Sequence, residues 1–198
     1  MPSPKTWSAI TLSARTKDWL NLRTSSELPN DYERVQTTVL FADIVGSTEL
    51  LVEIGDLDWV RLLKGYYALA HEQIVLFDGQ LLSTSGDGFH ACFEEAELAA
   101  RCAHALRACM NSLGLRLRIG LHLGECLKVG GLLTGLTVHI GARIAAAAEA
   151  DEVLVSNSVK THLGDELPLK FIDRGSRHLK GLPGAWRLFN CELEHQPC

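Results

Sequence analysis

The chain has 198 residues, 46% of them apolar, enough for one core and an extension rather than several domains. Acidic residues outnumber basic ones, 24 to 19, for a net charge of −5; this excludes a general nucleic-acid binder with its basic footprint, but not a nucleotide substrate, which needs only a local positive site. No apolar run approaches the ~20 residues of a membrane span, no signal peptide is recognisable, and six cysteines without a C-x-x-C pair read as reduced thiols of a cytoplasmic protein.

Residues 1–35 read as an extension, with a short helix over 9–22 and a linker over 25–31. Residues 36–45 are rich in Thr, Val, Leu and Phe and predict a strand. Ser47 is a plausible N-cap for a helix reaching about Phe77, with Gly55-Asp56 a candidate break. Two short strands, 80–85 and 89–94, flank a tight Gly86-Asp87-Gly88 turn. An Ala-rich helix follows over 96–113, then a strand over 116–124 and a Gly-rich arm over 126–133. A helix over 137–150, a strand over 152–156, a short helix over 158–163 and a hairpin of 170–179 with 185–192 complete the chain.

That order is α+β: a ferredoxin-like βαββαβ core with an extra αβ unit and a C-terminal hairpin. Such a sheet has helices on one face only, leaving the other face, or the arm, for a partner. The folded body is expected over 36–192, with a tail over 193–198 and no second domain to sense a ligand.

Four places carry chemistry. Asp43 is a carboxylate inside an apolar strand, and burying it unpaired is costly, so it needs a metal ion or a basic side chain. Gly46-Ser47-Thr48 opens a helix and offers free N–H groups to an anion. The alternative for this stretch is an ordinary strand before a capped helix. Asp87 sits at the hairpin tip. In a βαββ unit the first strand is central and pairs with the strand after the helix, so Asp43 and Asp87 can lie side by side and hold divalent metals that bridge phosphates. His139 and Arg143 share a helix face at i, i+4, where Arg suits a phosphate and His a reacting oxygen; a solvated Arg beside a core His is the alternative. Lys180, beside a glycine-rich turn, can reach a terminal phosphate or merely solvate the turn. No Walker loop, dinucleotide fingerprint or nucleophile elbow is present.

Phe41-Ala42-Asp43-Ile44-Val45-Gly46-Ser47-Thr48, Ser85-Gly86-Asp87-Gly88-Phe89, Arg118 through Glu125, Val138-His139-Ile140-Gly141-Ala142-Arg143 and Leu179-Lys180-Gly181 through Phe189 resemble, in order and spacing, the motifs of the class III nucleotidyl cyclases. The resemblance implies that Asp43 and Asp87, with Ile44 among the metal positions, hold two Mg²⁺ or Mn²⁺ ions on a nucleoside triphosphate. It implies that Gly46, Ser47, Thr48 and Lys180 bind phosphate, and that Arg143 stabilises charge on the α-phosphate. His139 stands where the family more commonly has Asn. It also implies a head-to-tail homodimer in which each site takes its metal acids from one subunit and its helix pair from the other.

One departure concerns the base. Purine-specific members carry a Lys where Ser83 stands, and an Asp or Thr where Leu132 stands. Ser83 is too short and Leu132 cannot accept a hydrogen bond, so a purine would leave groups unpaired at ~1–3 kcal/mol each. Leu132 and Phe89 could fill the pocket around a smaller base, and His90 is a further base contact. The chain therefore resembles the bacterial pyrimidine cyclases of anti-phage signalling, which make cyclic UMP or cyclic CMP for a separate effector protein. The expected substrate is UTP ahead of CTP. The alternatives are an adenylate cyclase and, in another class, a catalytically silent cyclase-like dimerisation or nucleotide-sensing module; a ferredoxin-like regulatory domain would leave the acids and Arg143 without a purpose.

Overall fold

The computed structural model describes residues 32–164 and 167–194. The expected helix over 9–22 and the linker over 25–31 lie outside the described residues, as does most of the tail. Every element below belongs to the unit Glu33–Cys198, save the first residue of β1.

The strands are β1 (Tyr32–Ile44), β2 (Gln80–Ser85), β3 (Gly88–Phe93), β4 (Leu117–Val129), β5 (Leu132–Thr134), β6 (Val153–Ser156), β7 (Leu169–Arg177) and β8 (Trp186–Leu193). The helices are α1 (Ser47–Ile54), α2 (Asp56–Leu76), α3 (Ala96–Ser112), α4 (Leu136–Ala147) and α5 (Asn157–Leu163). One sheet runs in the order β2-β3-β1-β4-β6-β8-β7, with β5 paired to β4. Its first four members are the ferredoxin-like core. β4 then pairs parallel with β6, and β8 and β7 close that edge as an antiparallel hairpin.

Alternation along the strands decides what each face holds. Leu40, Ala42 and Ile44 of β1, Phe89, Ala91 and Phe93 of β3 and Leu117, Ile119, Leu121 and Leu123 of β4 are buried in one core with Tyr66, Ala70 and Ile74 of α2 and Ala96, Ala99, Ala100 and Ala103 of α3. The opposite face is not bare, which corrects the expectation of helices on one side only. Helix α4 lies on it, its Ile140 and Ile144 packed with Leu154 of β6 and Leu188 of β8. Glycines allow this approach. A Cβ on Gly120 would come within 2.6 Å of the Ala145 Cα, and one on Gly141 within 2.6 Å of a Val39 methyl.

Other local expectations are refined. β1 begins at Tyr32. β1 pairs with β3, the second strand after the helix, and β2 lies outside it at the sheet edge. The helix expected over 47–77 breaks at Gly55, whose φ of 78° ends α1. Its cap is Gly46 in the left-handed region (φ 71°), and Ser47 is the first helical residue rather than the cap, because the sharp strand-to-helix turn needs a positive φ. The Gly-rich arm is a β-hairpin: β4 continues to Val129 and pairs with β5 across Gly130-Gly131, both with positive φ.

Candidate active site

Asp43 is the penultimate residue of β1, opposite Gly88 of β3. The register therefore sets the β2–β3 turn, with Asp87, beside Asp43, close enough for Asp87 to act on the Asp43 carboxyl. Gly88 is part of the design: a Cβ there would sit 3.1 Å from the Ala42 carbonyl and 3.4 Å from Asp43 Oδ1. Burial raises the Asp43 carboxyl above its ordinary range; the Arg118 guanidinium opposes that, and Asp87 adds to it as hydrogen-bond partner and like charge. Arg118 reaches Asp43 Oδ2 from β4 through both Nε (2.9 Å) and Nη2. A fork-like guanidinium on a half-buried carboxylate is a strong, oriented pair.

Arg118 is the site residue that the residue pattern did not single out. Its signal was alternation: Leu117, Ile119 and Leu121 enter the core, so Arg118 points to the face that carries Asp43. Phe41 and His90 share that face, their rings stacked at 4.8 Å and 6°, and Ser83 Oγ lies 3.0 Å from His90 Nδ1. Burial lowers the His90 pKa, favouring a neutral imidazole. Together Phe41, Asp43, Ser83, His90 and Arg118, with Ala142, Ala145 and Ala146 of α4, line a cleft of about 190 Å³.

The other expected residues are distributed as follows. Phe89 borders the cleft, but its ring is 3% exposed and packs on Tyr66 in the core, so Phe41 rather than Phe89 supplies the apolar ring facing the cleft. The Ile44 side chain is 2% exposed in the same core, leaving only its main-chain carbonyl for a ligand. Gly46, Ser47 and Thr48 form the turn and first residues of α1, with the Glu49 carboxylate beside them. An acid at this helix start disfavours a bare anion and suits one whose charge a cation has offset. His139 and Arg143 are exposed on α4 and lie outside the cleft lining. Lys180 is exposed in the β7–β8 connection. Leu132 is 65% exposed on β5. A single chain thus unites Asp43, Asp87, Ser83 and His90, but not His139, Arg143, Lys180 or Leu132.

No group of three or more His, Cys, Asp or Glu side chains is gathered as a metal cage among the described residues. Two adjacent carboxylates are nevertheless the donor set that Mg²⁺ and Mn²⁺ take when phosphates and water complete the shell. Arg118 supplies positive charge at the same carboxylate.

The family model for the adenylate and guanylate cyclase catalytic domain matches residues 30–191. The chain belongs to that family. Among solved structures, this cyclase domain superposes on the adenylyl cyclase CyaB from P. aeruginosa with a TM-score of 0.77 at 23% identity, over 82% of this chain and 96% of that one. An adenylate/guanylate cyclase/hydrolase from Silicibacter pomeroyi gives 0.73 at 28% identity, over 81% and 98%. The guanylate cyclase domain of RhGC from Catenaria anguillulae, in complex with GTP, gives 0.72 at 19% identity, over 81% and 98%. No curated protein matches the chain. No described helix of the cyclase domain is long and apolar enough to cross a membrane.

Proposed function

We propose that this cyclase domain converts a nucleoside triphosphate to a 3′,5′-cyclic nucleotide and pyrophosphate, and that its substrate is a pyrimidine nucleotide, UTP ahead of CTP. The observation that carries the cyclase reading is the Asp43–Asp87 pair, set side by side by the β1–β3 register within a fold of this family.

In the reaction the ribose 3′-oxygen forms a bond to the α-phosphorus, the α-phosphorus–oxygen bond to pyrophosphate breaks, and the hydroxyl proton passes to solvent. Asp43, Asp87 and the Ile44 carbonyl would hold divalent ions, Mg²⁺ or Mn²⁺, which would supply positive charge for the phosphates and acidify the hydroxyl. Arg118 releases Asp43 when the substrate enters and turns its guanidinium to a phosphate oxygen. Gly46, Ser47 and Thr48 receive phosphate at the start of α1. His139, Arg143 and Lys180 lie outside the cleft of their own chain, so they serve a site completed by a second copy. Arg143 of the partner subunit meets the charge growing on the α-phosphate, and His139 of the partner subunit orients the ribose.

The pyrimidine reading rests on Ser83 and His90 in the cleft. Ser83 is held by His90, giving a compact hydroxyl–imidazole pair with no long cation to span to a purine edge. Phe41 behind His90 narrows the pocket. The adenylyl and guanylyl cyclases among the structural neighbours favour the second reading, a purine substrate. The test is to incubate purified protein with each of the four triphosphates and Mn²⁺. Cyclic UMP or cyclic CMP should dominate. Cyclic AMP as the main product would sink the pyrimidine reading, and no product with any triphosphate, unchanged by Asp43→Asn, would sink the enzyme reading in favour of a silent module.

A further inference from the structure

Adjacent tyrosines on α2 have opposite environments. The Tyr66 ring is 1% exposed, and its hydroxyl has no hydrogen-bond partner. The Tyr67 hydroxyl leaves the core and donates to the Gly86 carbonyl at 2.6 Å, with the Gly88 carbonyl at 3.4 Å. Those two carbonyls bracket Asp87. We propose that Tyr67 is a positioning residue for the metal site: it ties the Asp87 turn to α2 and so fixes the distance between Asp87 and Asp43. This rests on the reading of Asp43 and Asp87 as the metal acids.

The physical need is specific. Asp87 sits at the tip of a two-residue turn at the end of an edge hairpin, where the β1–β3 ladder ends at the Asp43–Gly88 pair. Nothing in the ladder holds the tip beyond that point. Asp43 and Asp87 repel when both are ionised, which drives the tip away from β1. Gly86, with φ of 63°, makes the turn tight but also easy to deform. A hydrogen bond from a ring anchored on a long helix opposes that drift without occupying either carboxylate. Groups behind metal ligands commonly set affinity in this way.

Tyr67→Phe removes one oxygen and keeps the ring. The tests are Mn²⁺ binding to nucleotide-free protein, followed by the resonance of free Mn²⁺, and the Mn²⁺ concentration for half-maximal turnover. Both should weaken about three- to tenfold, the loss expected of one hydrogen bond, while turnover at saturating Mn²⁺ recovers most of the wild-type rate. A merely structural role would lower the melting temperature and leave both metal constants unmoved. Tyr66→Phe is the control: it should raise the melting temperature and leave Mn²⁺ binding unchanged. If Tyr67→Phe folds poorly, the double variant Tyr66→Phe/Tyr67→Phe carries the same test in a stabilised background. Wild-type and Tyr67→Phe proteins with equal Mn²⁺ affinity would overturn the inference alone. A wild-type protein that binds no Mn²⁺, or binds it equally after Asp87→Asn, would overturn the site reading beneath it.

Discussion

Gly120→Ala is the sharpest test of how the fold sets the site. Gly120 has no left-handed φ, so alanine suits its backbone and only space is at issue. The new Cβ would meet the Ala145 Cα at 2.6 Å and its Cβ at 2.9 Å. The first is main chain, and no rotamer change relieves it. Helix α4 must lift from β4 by roughly an ångström, disturbing Ile140 and Ile144 above Leu154 and Leu188. Overpacking of this kind costs ~1–3 kcal/mol, and the backbone contact places it at the upper end. For a domain of this size ~3 kcal/mol is a fall of about 6–12 °C in melting temperature. Gly141→Ala meets a Val39 methyl and the edge of Phe41 instead. Those side chains can yield, so its cost should be ~1 kcal/mol. Urea denaturation of the two variants gives the ranking. Because α4 carries Ala142, Ala145 and Ala146 of the cleft as well as His139 and Arg143, Gly120→Ala should also lose turnover under conditions where it remains folded. Equal stability of Gly120→Ala and wild type, or a larger loss for Gly141→Ala, would refute the reasoning.

Two further outcomes concern charge. His104 is buried in α3 with neither ring nitrogen bonded, and burial, with Arg107 nearby, pushes its pKa down to about 4. The unfolded chain takes up a proton below about pH 6.5 that the folded chain refuses until about pH 4, so stability falls with pH across that window, by ~3 kcal/mol at its lower end. His104→Leu should be more stable than wild type at pH 7.5 and by a wider margin at pH 5; a margin that does not grow, measured by urea melts at both values, would contradict this. Arg118→Met keeps the aliphatic stem but frees Asp43. Under the proposed mechanism it should bind Mn²⁺ more tightly without nucleotide, yet lose at least tenfold in kcat/KM. Weaker Mn²⁺ binding in calorimetry would show that Arg118 helps to hold the metal rather than giving way to it.

The ferredoxin-like core and the meeting of Asp43 with Asp87 were legible because both follow from short-range signals: period-two alternation, a Gly-Asp-Gly turn, and a topology that leaves β1 central. Arg118 was not, although it contacts Asp43 directly. The pair is 75 residues apart, and only the placement of β4 beside β1 unites them. Helix α4 on the second face was also missed. Its signal lay in Gly120 within a strand, where glycine has no merit except closeness. His139 and Arg143 were legible as a helical pair, but their place outside their own chain's cleft was expected only from the family resemblance, since i, i+4 spacing says nothing about which copy of the chain a helix serves. Tyr67 was not legible because periodicity puts it on the apolar side of its helix, and only its hydroxyl contacts with Gly86 and Gly88 show a second role.

Strand β4 has a consequence of length. From Arg118 in the cleft to Val129 at the arm it covers 12 residues, about 36 Å of extended chain. A domain of some 160 residues has a radius of gyration of only about 15 Å. One strand thus starts beside the acids and ends at the arm, where Leu132 stands 65% exposed. Under the two-copy reading, cover for that arm is supplied by concentration rather than by the chain's own residues. Dilution would then act on the protein much as a substitution does, uncovering Leu132 and separating Asp43 from the partner subunit's Arg143 in one step.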